Sequence, residues 1–548
     1  MNEIEFNLID EPWIRVMDNH CNVSEVSLKE ALLNAHNYKS LSGELPTQDI
    51  AVMRLMLAVL HTVYSRADEE GNESPLEDSE DEAIYRWKAL WKKGRFSEKA
   101  IADYFENWHE RFWLFHPERP FYQITEKNMS DLIKGQKNLL LSKLNGEIAQ
   151  GSNKINFFSL YSGNQAGNLS YAQAARWLVF TNSFDDTALK PQGTNLPSAN
   201  VGWLGQLGLV YILGDTLFET LILNLVLINN GDIESKQTPV WEEKTLRYKE
   251  RTIIPFPDNL AELYTLQSRR IHLFRENGKI THFHILAGDL VSSDNAFEEP
   301  MTAWVKFTKN KNEGITAYYP QTHKFPQQMW REFSTMYNHR DEEIPGIIKW
   351  YKKNIAVKKS LSGKRTLRTA IAAIEFDSSS SHKYVNYLSD SLTMHAELLS
   401  DLGADWRAKI ETEIDRCGKL ANAIAYLAQN LYVASGGSNS KKDKHYMEIP
   451  NQVKSQLFYR FDIPFREWLS SIDPEIVDEE EKYKKQLKWQ STAQKITETY
   501  AQELVSETSD SAIIGHNVDN VIYSSPRAMI IFRGQMKKIY GKDGDKNV

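Results

Sequence analysis

Between Gln48 and Tyr64 the apolar residues Ile50, Met53, Leu57 and Leu60 recur at helical spacing, and the segment reads as a buried helix. The acidic stretch that follows carries a solvated loop around Asn72 to Pro75. From Trp87 to Phe115 the pattern is aromatic and helical. Two more helices are expected over Leu169–Phe180 and Asp215–Leu227, flanking a segment rich in Gly, Pro and Asn. Ile271–Leu286 and Ala317–Tyr319 have strand character. Helix and strand alternate irregularly and no internal repeat is found. This suits an α+β fold better than a doubly wound sheet.

The last third reads differently. Val385, Leu388, Leu392, Leu399 and Leu402 form a stripe at steps of three, four or seven, which predicts a helix. A turn over Asp401–Asp405 contains Gly403 as its stop. Ile410, Ile414, Cys417, Leu420, Ile424, Leu427 and Leu431 continue the stripe on a second helix. Ser435–Lys444 is a linker, and Gln452–Ser471 and Glu479–Ser506 are further helices. A last helix begins at Ser524-Ser525-Pro526, a cap followed by proline in the first turn. The pattern therefore predicts a large mixed α+β domain over residues 1–380, followed by a C-terminal four-helix-type bundle over 381–548.

The chain opens on Phe6-Asn7-Leu8-Ile9-Asp10-Glu11-Pro12-Trp13-Ile14-Arg15-Val16, two short apolar runs around an acidic turn closed by proline. Pro12 fixes φ and extends Glu11, so a strand, a bend and a second strand are expected, as in an ordinary hairpin. With 548 residues, 41% hydrophobic and 25% charged, the chain is an ordinary soluble mixture with room for two to four domains. No apolar run is long enough to span a bilayer, and no basic start precedes an apolar core, so neither membrane nor signal peptide is expected. Cys21 and Cys417 are its two cysteines, which excludes a disulfide framework and a cysteine-rich zinc module and points to the cytoplasm.

A net charge of -8 argues against autonomous, tight DNA binding, because phosphate neutralisation supplies most non-specific affinity. A local patch within a larger assembly is still allowed. Asp68–Asp81 is acidic, whereas Lys352, Lys353, Lys358, Lys359, Lys364, Arg365 and Arg368 form a basic segment.

The sequence offers two candidate groupings for enzyme chemistry. His282 and His284 fall on one face of a strand, with His272 nearby in sequence, yet no carboxylate or cysteine accompanies them at a ligand spacing. Asp185-Asp186 could serve a metal-dependent nuclease, though an adjacent pair in a turn is more often a helix cap. Phosphate-loop, zinc-protease, nucleophile-elbow and redox motifs do not occur. No catalytic set and no cofactor emerge. Phe112-Trp113-Leu114-Phe115-His116-Pro117-Glu118-Arg119-Pro120-Phe121-Tyr122-Gln123 could stack bases, but a helix ending at His116-Pro117 favours core packing.

The opening string and this aromatic segment resemble those of the CasA family, the large subunit of the type I-E CRISPR surveillance complex Cascade. Further agreements follow in order: Ser42-Gly43-Glu44-Leu45-Pro46-Thr47, Pro239-Val240-Trp241-Glu242, Gln267-Ser268-Arg269-Arg270-Ile271 and Glu299-Pro300-Met301-Thr302-Ala303-Trp304. Together they cover roughly residues 6 to 330.

The resemblance implies a non-catalytic DNA-recognition subunit without cofactors. Such a subunit reads the short PAM duplex through the minor groove, starts strand separation and docks a recruited helicase-nuclease. Its implied partners are the backbone, guide-end and small subunits of the complex, the 5′ region of the guide RNA and double-stranded target DNA. The family's flexible aromatic loop corresponds to a stretch with Phe157, Phe158 and Ser159, where a buried phenylalanine pair is the equal alternative. Its glycine loop corresponds to Gln192, Gly193, Thr194 and Asn195, with one glycine kept. Its glutamine-tipped wedge corresponds to Ser378, Ser379 and Ser380, with serine at the tip. Lys306, Lys309, Lys358 and Lys359 would meet phosphates, and Lys484, Lys485, Lys488, Arg533, Lys537 and Lys538 on the bundle are further candidates. A metal-dependent nuclease and a purely structural assembly subunit are the competing readings.

Overall fold

The helical spacing at Gln48–Tyr64 is realised as one helix, Pro46–Arg66, with proline in its first turn. It is buried around almost its whole circumference, because Leu55, Val59 and Val63 fill faces that the Ile50–Met53–Leu57–Leu60 stripe leaves open. Helices Tyr171–Phe184 and Leu260–Tyr264 pack against it. The computed structural model describes residues 3–77, 79–132, 138–147, 167–187, 200–245, 247, 254–310, 315–323, 327–337, 343–356, 366–377 and 384–541.

The chain divides into two compact units. The first holds Met1–Phe325, His339–Gly363 and Arg368–Ser391; the second holds Pro326–Asn338, Lys364–Leu367 and Leu392–Val548.

Within the first unit the aromatic stretch after Trp87 is broken by Gly94, whose φ of 70° ends helix Glu80–Lys93 in a left-handed cap. Ser97 then caps helix Glu98–Trp108 by accepting from the Ala100 amide. The Asp215–Leu227 helix is shorter than its apolar run, Leu217–Leu223, because the Asn224 side chain turns back to bond Ile212. Ile271–Leu286 is an antiparallel pair, Arg269–Glu276 with Lys279–Ala287, joined by a left-handed Asn277-Gly278 turn. Trp304–Asn310 pairs with Ile315–Pro320 in a two-stranded ribbon.

The opening segment is not a hairpin. Its strands Glu5–Asn7 and Ile14–Asp18 pair with different partners, the first with Trp113–Phe115 and the second with Val23–Val26 and Tyr38–Leu41. The intervening turn exposes Asp10, Glu11 and Pro12 at its tip while its flanks are drawn inward. Leu8, Ile9 and Trp13 are buried, and the Trp13 indole donates to the Leu8 carbonyl at 2.9 Å. Burying these side chains pulls the two strands toward separate sheets.

The stripe from Val385 to Leu402 is also corrected. Tyr384–His395 is a strand, in a sheet ordered with Thr366–Phe376 in the middle and Leu209–Leu213 at the other edge. A four-residue step such as Leu388 to Leu392 keeps one face in a strand as well as in a helix. Leu392 and Met394 are buried and Ser391 and Thr393 exposed, which is the two-residue period. Gly403, with φ of -82°, is no helix stop but stands at the start of Ala404–Ala434.

In the second unit, that helix packs on Lys444–Ser470, Glu479–Ser506 and Ser525–Tyr540, the expected bundle. Its core is aromatic. Trp489 is ringed by Phe461, Phe465 and Trp468, and Trp330 stacks on Phe465 at 4.1 Å while donating to Asp462 at 2.9 Å. Buried Glu413 is satisfied by Arg416, Gln486 and Gln490. Among the bundle lysines, Lys484 pairs with Glu480 and Lys485 caps the Ser471 carbonyl; Arg533, Lys537 and Lys538 are exposed.

Candidate nucleic-acid interface

Helix Tyr171–Phe184 is the platform. Ser170 and Gln173 close its start in a reciprocal capping box, and Trp177 and Phe180 bury its inner face. Gly146 lies against those two rings: a Cβ there would stand 2.6 Å from Trp177 and 2.9 Å from Phe180. Gly146 therefore lies on the helix just before the segment that carries Phe157, Phe158 and Ser159.

At the end of the helix, Arg269 gathers the chain. Its guanidinium donates to the Asp185 carboxylate and to the backbone carbonyls of Asp185 at 3.1 Å, Asp186 at 2.8 Å, Asn200 at 2.8 Å and Ser268 at 2.7 Å. Both ends of the segment containing Gln192, Gly193, Thr194 and Asn195 are thus tied to one side chain. Gly202 completes the closure, its amide donating to Asp185 at 2.8 Å. A Cβ at Gly202 would stand 2.3 Å from the Ser183 carbonyl, so only glycine allows this approach.

The third segment roots in the same place. Phe376 ends its strand and Tyr384 begins the next, with ring centroids 5.5 Å apart, on either side of the residues that include Ser378, Ser379 and Ser380. Phe376 also covers Gly205. The Tyr384 hydroxyl donates to the Phe184 carbonyl at 3.3 Å, and the Tyr387 hydroxyl donates to Gly146 at 2.7 Å. Burial raises both phenols well above the ordinary range, and for Tyr384 the neighbouring Asp185 and Asp186 raise it further. Both phenols stay neutral donors at any physiological pH.

The described residues thus anchor all three candidate segments on one helix: both roots of the second and third at its C-terminal end, and the first by Gly146 against Trp177 and Phe180 and by Ser170 at the helix start. The segments themselves, with Phe157, Phe158, Ser159, Gln192, Gly193, Thr194, Asn195, Ser378, Ser379 and Ser380, lie outside the described residues, as do Lys358 and Lys359. Lys306 is exposed on the Trp304–Asn310 ribbon, opposite Tyr318. Lys309 lies on the same strand, its side chain outside the description. The ribbon's base joins the sheet through Thr302, whose hydroxyl donates to the Gly208 carbonyl at 3.2 Å.

The groups that a nuclease would need are otherwise engaged. Asp185 faces Arg269; His272 bonds the Ile124 carbonyl at 2.9 Å; His284 bonds Asn138 at 3.0 Å; and Phe274 stacks on His282 at 4.3 Å. Burial lowers the pKa of His272 and of His284. Among the described residues no group of three or more His, Cys, Asp or Glu is placed to hold a metal ion, and no helix is long and apolar enough to cross a membrane.

Sequence reasoning missed Arg269, Tyr384 and Tyr387 as the residues that hold the roots. A signal was present, since Arg269 and Arg270 stand side by side at the start of a strand that goes on through Ile271, Leu273 and Phe274, and an arginine drawn inward there calls for a buried partner. The other motif segments do similar work. Glu44 meets Arg176, Glu242 meets Arg66 and Tyr104, Arg270 meets Asp289, and Glu299 meets Arg54 in a bidentate pair at 2.7 and 2.8 Å.

The chain is similar to CRISPR-associated protein CasA/Cse1 of Thermus thermophilus, 30% identical over 371 residues covering 66% of this chain and 67% of that protein. Its fold matches crystalline Cse1 of Thermobifida fusca, TM-score 0.78 at 24% identity, over 98% of each chain. It also matches a chain of a CRISPR RNA-guided surveillance complex, TM-score 0.62 at 16% identity, over 91% of this chain and 99% of that one. With the family model for CRISPR-associated protein Cse1 matching residues 7–500, the chain belongs to the Cse1 family.

Proposed function

We propose that this chain is the non-catalytic DNA-recognition subunit of a cytoplasmic, Cascade-type RNA-guided surveillance complex. In this reading it checks the PAM through the minor groove, starts separation of the target strands and docks the helicase-nuclease. The observation that carries the reading is the shared anchorage of the three segments on helix Tyr171–Phe184, in a chain whose fold matches a chain of an RNA-guided surveillance complex. One rigid base under three segments lets a short duplex be gripped from several sides without ordering the whole protein on binding.

Phe157, Phe158 and Ser159 would meet the RNA end or the duplex, Gln192 to Asn195 the minor groove, and Ser378 to Ser380 would act as a steric wedge. Lys306, Lys309, Lys358 and Lys359 would meet phosphates. Recognition belongs to residues 1–380 together with the strand that carries Tyr384 and Tyr387, and packing against small subunits to the helical bundle that follows. The net charge of -8 supports a division in which guide-bound partner subunits carry most of the phosphate neutralisation.

The test is duplex binding by the reconstituted complex, with and without this chain, across a randomised PAM library. Addition of the chain should narrow the set of bound PAM sequences. An unchanged set leaves a purely structural subunit. Cleavage of DNA by the isolated chain with divalent metal, lost on Asp185→Ala and Asp186→Ala, would establish the nuclease instead.

A further inference from the structure

Three of the segments that carry the family resemblance meet away from the interface just described. Arg119, Phe121 and Tyr122 come from the aromatic segment, Trp241 from the second and Gln267 from the third, and with Arg111 and Arg247 they line a pocket of about 40 Å³. A space of that size, open to solvent on one side, takes a few waters or one tetrahedral oxyanion.

The walls are stiff. The Trp241 indole donates to Tyr104 at 2.8 Å, Phe121 stacks on Phe112 at 5.1 Å, and Phe121 and Tyr122 stack nearly parallel at 4.5 Å. Tyr122 holds a left-handed backbone, φ 53°, which a non-glycine residue keeps only when its surroundings impose it.

The charge in the pocket is unbalanced. Arg247 is paired with Glu243 at 2.5 Å and Glu262 at 2.9 Å. Arg119 donates to the Lys244 carbonyl, and among the described residues neither Arg111 nor Arg119 has a carboxylate partner. Both are half-buried. Glu243 also lines the pocket but is taken up by Arg247, so among the described residues Arg111 and Arg119 leave an excess of positive charge on a small space, which suits a doubly charged oxyanion better than a single carboxylate.

We propose that this pocket binds a phosphate oxyanion, held by Arg111 and Arg119, either as free phosphate or as the terminal phosphate of a nucleotide chain. The site is independent of the DNA-recognition reading, since none of its residues roots the three segments.

The experiment is calorimetric titration of the full-length protein with inorganic phosphate and, separately, with acetate, at constant ionic strength. Saturable phosphate binding is expected, weakened about tenfold or more by Arg111→Gln and by Arg119→Gln, with the lysine variants in between. A dinucleotide bearing a 5′-phosphate, compared with its 5′-hydroxyl form, separates the two sources: competition by the phosphorylated form alone identifies a chain terminus, and competition by neither identifies free phosphate. Circular dichroism confirms that each variant is folded, and Arg111→Gln, which breaks no backbone hydrogen bond among the described residues, carries the test if Arg119→Gln unfolds. Binding that does not saturate, equal affinity for acetate, or undiminished affinity in both glutamine variants overturns the proposal.

Discussion

Replacing Arg269 with methionine keeps the length of the side chain and deletes its guanidinium. Five hydrogen bonds are lost at once, one to the Asp185 carboxylate and four to backbone carbonyls. Asp185 is 8% exposed, so its carboxylate loses the facing cation where water restores little. Deleting one partner of a buried pair costs about 3–5 kcal/mol. Asn200 is exposed, so water replaces part of its loss, whereas Asp186 is buried; the carbonyls cost about 1 kcal/mol or less each. The expected loss is about 4 kcal/mol. Urea unfolding followed by tryptophan fluorescence reads the total, and amide exchange at Gly202, whose N–H donates to Asp185, reads the local opening. Asp185→Asn in the methionine background should recover about half of the loss, since no carboxylate then faces an apolar stem. In the reconstituted complex PAM discrimination should fall with the tether. A loss below about 1 kcal/mol, or strict additivity of the two substitutions, would refute the assignment of Arg269 as the staple of this segment.

Gly202→Ala places a methyl group 2.3 Å from the Ser183 carbonyl and should cost about 2–3 kcal/mol, read as a lowered thermal midpoint. His61 is buried without a hydrogen-bond partner, and burial holds its pKa near 3 against an ordinary 6.5. Between those values the unfolded chain binds a proton that the folded chain refuses, so stability falls by roughly 1.4 kcal/mol per unit as pH drops below about 6.5. His61→Leu should flatten that limb in urea titrations from pH 7 to 4.5. Asp49 runs the other way: burial raises it to about 7 from 3.8, despite the Gly43 amide it accepts, so the folded chain holds a proton that the unfolded chain has released. That term weakens the fold as pH rises from 4 through 7, and Asp49→Asn should gain about 1–2 kcal/mol at pH 8 and nothing at pH 4, the half-buried position keeping the gain below the full shift.

Periodicity located the helices with long, one-state patterns: Pro46–Arg66, Tyr171–Phe184 and the four long helices of the C-terminal bundle. The physical reason is local, because a helix satisfies its own hydrogen bonds and shows its buried face in the spacing of one segment. The ordered motif segments were equally legible, and with them the family. Strand partners were not. Phe6 to Val16 looked like a hairpin, yet its strands pair with residues about a hundred positions away and with a separate sheet, and Leu388 to Leu392 satisfied two periods at once. The pairing of a strand is a property of two distant segments, so one segment does not encode it. The same holds for the site. Asp185, Asn200, Arg269, Gly146 and Tyr387 are scattered over the chain, and each alone reads as a cap, a turn or a polar position. Folding around helix Tyr171–Phe184 brings them within hydrogen-bond reach, where a buried guanidinium must find acceptors and two buried phenols must find carbonyls.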